Sequence, residues 1–250
     1  MMKQWCFLTL VVLAALAGTL SIGWASQWKL VFEDNFDKQD LSREWTLIRG
    51  KASIRVGRLF MQGTTLLLAS QPFAADVRIE FTAEADPTTP PCDLSATVAA
   101  NPIHGWGHLL AFGGKGNRAN QITGGGVQVV DDAPKFVIDH GKKCRVAASR
   151  ESKKLTLSVD GHVVLEAKSD SLLTGPWLDN VGLVTWNGMY VDNVQVYERS
   201  VRHPDAPDYP RSLTGSPFIR DGRKLVMVDG AFPTPEAEAA LDVFASGRTV

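Results

Sequence analysis

The sequence predicts an all-β sandwich followed by a tail with a short C-terminal helix. Two observations carry this. Apolar and polar residues alternate with period two from Trp28 to about Arg199, and turn residues break the alternation every ~8–12 residues, the spacing of a sandwich of short strands. A third is negative: no long 3.6-period stretch interrupts that span. With 250 residues, 44% hydrophobic and 21% charged, the chain has the composition of a globular protein able to bury a full core, not of a disordered or collagen-like one. A formal net charge of -1 offers no basic surface for phosphates, so a nucleic-acid partner is not expected.

Residues 1–25 come first. One charge, Lys3, precedes an apolar run from Cys6 to Leu20, and Gly23 and Ala25 are small residues ahead of Ser26. This is the pattern of a secretory signal peptide cut after Ala25. The other reading is an uncleaved anchor, since Trp5 to Trp24 is long enough to span a bilayer. Cleavage leaves a secreted or periplasmic protein with no membrane segment. It also leaves Cys92 and Cys144, open to one bridge or to two separate buried thiols.

In the body of the chain, Val77, Ile79, Phe81 and Ala83 alternate with Arg78, Glu80, Thr82 and Glu84, which reads as a strand covered on one side. Leu155, Leu157 and Val159 repeat the pattern before Asp160-Gly161, a pair suited to the positive φ values of a tight hairpin. Val181 to Trp186 and Tyr190 to Tyr197 read as a second hairpin around Asn187-Gly188. Val191 and Val194 are three apart, so a bulge at Asp192-Asn193 is needed to keep both on one face. Beyond Arg199, Pro204, Pro207, Pro210 and Pro217 mark residues 200–250 as a separate tail. Within it Lys224 to Val228 reads as a short strand, and Thr234-Pro235 opens a helix to about Ala245.

Phe32-Glu33-Asp34-Asn35-Phe36, Trp45, Gly57-Arg58-Leu59, the strand pair around Asp160-Gly161, and Val191-Asp192-Asn193-Val194-Gln195-Val196 follow one another in the order of the concanavalin A-like lectin and glucanase superfamily. The domain at 28–199 resembles that superfamily, and within it the secreted laminin-G-like modules and the 3-keto-disaccharide hydrolase group. The resemblance implies an antiparallel two-sheet jelly-roll sandwich that meets ligands on its concave sheet face, a carbohydrate partner, and a structural calcium ion held by Glu33 and Asp192 between first and last strands.

Catalysis finds less support. Glucanases of the superfamily carry a Glu-x-Asp-x-x-Glu strand, and this chain has none. Its nearest pair is Glu84 and Asp86, which reads as a solvated strand end, and Asp131 and Asp132 read as the end of another strand. Ligand recognition points to the Gly-rich stretch from His104 to Gln121, whose other reading is a Gly-rich hairpin loop with a core Trp. There Trp106 supplies an aromatic face, and Asn117, Arg118, Asn120 and Gln121 supply hydrogen-bonding groups for a sugar. The expected function is a secreted carbohydrate-binding or accessory carbohydrate-processing domain. The alternatives are a glycosidase-like enzyme acting on 3-keto-glycosides and a structural or protein-interaction module.

Overall fold

A computed structural model describes residues 28–101, 105, 107–173 and 178–199. The expected signal peptide, Trp106 and the tail with its helix lie outside the described residues. Thirteen strands follow in order: β1 (Trp28–Asp34), β2 (Trp45–Arg55), β3 (Arg58–Ala69), β4 (Val77–Ala85), β5 (Ser95–Ala100), β6 (His108–Gly113), β7 (Ala119–Gly124), β8 (Val127–Asp131), β9 (Cys144–Glu151), β10 (Lys154–Val159), β11 (His162–Lys168), β12 (Asn180–Thr185) and β13 (Gly188–Arg199).

All pairings are antiparallel, and they form one continuous ribbon, β11-β10-β9-β4-β13-β3-β12-β5-β6-β7-β8, with β1 added to β13 and β2 to β3. The ribbon closes on itself so that β5 lies over β9, β6 over β10, and β7 and β8 over β11. The result is a two-layer sandwich. Sheet one runs from β11 to β13 and β1, and sheet two from β12 to β8. Between them lies one apolar core that includes Leu67, Ile79, Phe81, Val98, Leu110, Ile122, Leu157, Leu183 and Val196.

The two sheets are joined by strands that belong to both. β12 pairs with β3 from Gly182↔Leu68 to Thr185↔Thr65, and β13 continues along the same edge of β3 from Gly188↔Gln62 to Val191↔Leu59, without a register shift. The chain therefore does not reverse at Asn187-Gly188, and the expected hairpin is replaced by a bend in one long run. Asn187 accepts a hydrogen bond from the N–H of Gly63 directly across from it. On the other edge of β3 the register of β2 shifts at the same level, around Gly50. Thr65 ties this crease together: its hydroxyl donates to the Gln62 carbonyl at 2.8 Å and accepts from the Lys51 N–H at 3.1 Å.

Other expectations hold in detail. β4 alternates between buried and half-buried positions along its whole length. Asp160 and Gly161 both take positive φ (49° and 79°) between β10 and β11. The pairing of β13 with β4 slips between Asp192 and Gln195, and Asn193 has φ 50°. That bulge leaves Val191 and Val194 both fully buried. The two cysteines are separate free thiols. At the β10–β11 turn the Asp160 carboxylate also accepts the Arg145 N–H at 2.8 Å. Asp160→Ala is thus expected to cost about 1–2 kcal/mol, from left-handed strain and a lost hydrogen bond, read as a lower urea midpoint.

Candidate functional site

The outer faces of the two sheets differ in how their polar groups are spent. On sheet one, Arg58 pairs with Glu84 at 2.8 Å and Arg78 with Glu80 at 2.8 Å. Arg145 also donates from Nε to Glu80 at 2.9 Å and from Nη2 to Gln195 at 3.0 Å. The same cations cover the aromatic rings of that face: Arg55 lies 3.9 Å from the Phe60 ring centre, Arg58 4.5 Å from Tyr190 and Arg78 4.7 Å from Tyr197. Charges and ring faces there meet one another within the protein, although Nε of Arg78 has no well-aligned hydrogen bond among the described residues.

Sheet two carries uncharged groups instead. Register places Gly182, Thr97, Leu109, Thr123 and Gln128 in one row across β12, β5, β6, β7 and β8. The neighbouring row holds Val184, Ser95, Ala111, Gln121 and Val130. These positions alternate with the core residues Ala96, Val98, Leu110 and Ile122, so they face outward. Five strands spaced at ~4.8 Å make the face about 19 Å wide. The hydroxyls of Ser95 and Thr97 are buried and have no hydrogen-bond partner. At the β3 side the face is roofed by Gly105: a Cβ there would lie 2.5 Å from Leu66 and 2.9 Å from Ile48, so this position requires glycine. Toward β8 it opens, with Gln121, Thr123 and Val130 half-buried and Gln128 exposed.

The Gly-rich stretch read as a single ligand loop is largely a hairpin, β6–turn–β7, and this divides its residues. Asn117 donates to the Ile138 carbonyl and accepts the Ile138 N–H, both at 2.8 Å. Asn120 is fully buried; it accepts the Gly113 N–H at 3.0 Å and donates to the Phe136 carbonyl at 3.1 Å. Both amides brace the segment between β8 and β9. Arg118 is exposed at the end of the turn, its Nε donating to the Lys115 carbonyl at 3.1 Å. Gln121 reaches the outer face of sheet two. Adjacent strand residues point to opposite sides, and the spacing did not show which of Asn120 and Gln121 would face out. Ser95, Thr97, Thr123 and Gln128 were missed as candidates, although the alternation in Leu94-Ser95-Ala96-Thr97-Val98 carried the signal.

The carboxylates are otherwise engaged. Glu84 is ion-paired with Arg58. Asp86 is not a solvated strand end: it is buried, and its carboxylate accepts the N–H and hydroxyl of Thr88 at 2.9 and 2.7 Å. Proline at position 87 starts the turn that this carboxylate closes. Asp131 caps the N–H of Ala133 at 3.2 Å and Asp132 pairs with Lys115 at 2.8 Å, as strand-end residues do. Glu33 sits opposite Gln195, and Asp192 accepts the N–H of Asn193 at 2.8 Å in the bulge. Among the described residues no group of three or more His, Cys, Asp and Glu side chains could hold a metal ion. The calcium expectation rests on two carboxylates of the six to eight oxygens that such an ion takes.

Two buried titratable groups flank the site. Asp93, ahead of β5, is pushed up to about 6 by burial, against the opposing hydrogen bond from the Cys92 thiol. His108, at the start of β6, is pulled down to about 4 by burial. Its Nε2 accepts the Leu173 N–H at 2.8 Å, which puts the proton on Nδ1, where it donates to the Gly124 carbonyl at 3.1 Å.

No protein-family model matches the sequence, and no curated protein matches it. Solved structures do match in three dimensions. A Bacillus subtilis protein with a galectin-like fold superposes with a TM-score of 0.53 at 13% identity, over 69% of this chain and 100% of that one. The endo-β-1,3-glucanase of Pyrococcus furiosus gives 0.51 at 15% identity, over 70% and 95%. The laminarinase catalytic domain of Thermotoga maritima gives 0.51 at 16% identity, over 70% and 100%. The likeness is one of fold. The sandwich of residues 28–199 has the architecture of these domains.

Proposed function

We propose that the chain is an exported domain of the concanavalin A-like type that binds neutral carbohydrate on the outer face of sheet two. The observation that carries the reading is the open side of that face, where the uncharged side chains of Gln121, Thr123 and Gln128 reach solvent with no hydrogen-bond partner among the described residues, beside the buried, unpartnered hydroxyls of Ser95 and Thr97. A polyhydroxylated, uncharged ligand complements such a surface, since each hydroxyl both donates and accepts. Sheet one, whose charges and rings are matched internally, offers no comparable demand. Trp186, 36% exposed, lies two residues beyond Val184 on the same strand run and supplies an aromatic surface at the edge of the face. Arg118 stands at the exposed end of the β6–β7 turn. The likeness in fold to glucanase catalytic domains supports the carbohydrate reading, and the engaged state of Glu84 and Asp86 favours binding over hydrolysis.

The test is titration of purified residues 26–250 with neutral oligosaccharides identified on a glycan array. Gln121→Ala is expected to weaken binding about tenfold, the worth of one to two neutral hydrogen bonds. Thermal stability should not change, because Gln121 is half-exposed. Unchanged affinity in a Gln121→Ala, Thr123→Val double variant would remove this face as the site.

A further inference from the structure

Arg150, near the end of β9, follows Val146 and Ala148 on the inward side of its strand, and both of those are fully buried. Its side chain therefore enters the gap between the layers, where it is 6% exposed. Among the described residues the guanidinium has no hydrogen-bond partner and no carboxylate within ion-pair distance, and Nε is completely buried. Neither neighbouring acid forms an ion pair with it. Glu151 pairs with Arg199. Asp76, whose charge does act on Arg150, is held by the Ser152 N–H at 2.6 Å. From the opposite layer His108 faces this charge, but both of its ring nitrogens are taken by Gly124 and Leu173. Burial lowers the proton affinity of the guanidinium, yet arginine stays charged in proteins. A cation this deep, with one carboxylate acting on it from beyond ion-pair distance and no hydrogen bond to hold its fork, is an unfavourable arrangement in a fold. Its terminal nitrogens are not among the fully buried unpaired atoms, so the fork keeps contact with solvent at the rim.

We infer that Arg150 is the anchor of an oxyanion-binding site at the end of the sandwich where the end of β9 pairs with the start of β10. The ligand chemistry is that of a carboxylate, sulfate or phosphate, which a guanidinium fork holds through two parallel hydrogen bonds. This site is separate from the outer face of sheet two and does not depend on the carbohydrate reading. Two sources carry the chemistry: a free inorganic anion, or the acidic group of a sugar such as a uronate.

The experiment is thermal unfolding and calorimetric titration of residues 26–250 at pH 7 and constant ionic strength, with chloride replaced by sulfate, phosphate or glucuronate. The wild type is expected to gain about 4 °C or more at saturating oxyanion relative to chloride. Arg150→Met should be at least as stable as wild type in chloride and should lose the oxyanion response. Arg150→Lys keeps the charge without the fork and should bind at least about tenfold more weakly. Preference for glucuronate over sulfate and phosphate would assign the site to an acidic sugar, and the reverse to an inorganic anion. Equal responses of wild type and both variants, no response at all, or an Arg150→Met protein destabilised in chloride would overturn the proposal. The last result would mean that Asp76 already compensates the charge.

Discussion

Gly50→Ala is expected to destabilise the protein by about 3–5 kcal/mol, through left-handed strain added to overpacking. Gly50 has φ +87°, and a Cβ at that position would lie 2.3 Å from Thr65 Oγ1, 2.4 Å from the Thr64 carbonyl oxygen and 2.6 Å from Thr65 Cα. Two of those atoms are backbone and cannot swing aside. They belong to the crease at which β2, β3 and the β12–β13 run bend together, so relief by local movement would disturb the joint between the sheets. The internal control is Gly63 across the same crease. Its φ is +63°, but a Cβ there meets nothing within 4 Å, so Gly63→Ala should cost only about 1–2 kcal/mol, the conformational part alone. Urea denaturation of the two variants separates collision from strain, and equal losses would show that the crease is not tightly packed. Since whole domains are stable by only ~5–15 kcal/mol, the Gly50 variant should be near the limit of folding.

The second large effect is in pH dependence, where two groups oppose each other. His108 is lowered from 6.5 to about 4 in the fold. Between those values the unfolded chain binds the extra proton, so this group's stability is lost as pH falls, by an amount on the order of 3 kcal/mol. Asp93 is raised from 3.8 to about 6. Between those values the folded protein holds the extra proton, so this group's contribution is lost as pH rises, again by an amount on the order of 3 kcal/mol. The wild type should therefore show a nearly flat stability profile from pH 4 to 6.5. Asp93→Asn should unmask the histidine, giving a protein that weakens steeply on acidification. His108→Gln should unmask the carboxyl, giving one that weakens as pH rises from 4 to 6. Denaturant midpoints at half-unit pH steps test all three profiles, and parallel profiles in the three proteins would refute the assignment. Acid loss in the Asp93 variant also has a structural reading: an imidazolium cannot accept the Leu173 N–H, so the segment after β11 would lose its tie to β6.

Much of the strand layout was legible because a one-sided strand must alternate. β4, the β10–β11 hairpin and the Asp192-Asn193 bulge each follow from where apolar residues have to point. The Asn187-Gly188 reading failed for an equally physical reason. A turn-prone dipeptide states that the chain bends, not that it reverses, and here both segments found the same edge of β3. The candidate site was half legible. Composition of the His104–Gln121 stretch pointed to a polar region, but Asn117 and Asn120 spend their amides on Ile138, Gly113 and Phe136, residues that only the folded chain brings near.

What sequence by itself determined was the alternation between Trp28 and Arg199, hence a core-facing and an outward-facing set of side chains and a sandwich in which to place them. It did not determine which outward polar groups would be left without partners. Glu80, Arg145 and Gln195 engage one another on sheet one, whereas Gln121 on sheet two, and Nε of Arg150 between the layers, have no hydrogen-bond partner among the described residues. Hydrogen bonds and ion pairs are satisfied across strands that lie far apart in the chain, so only the tertiary pairing decides which groups stay available to a ligand.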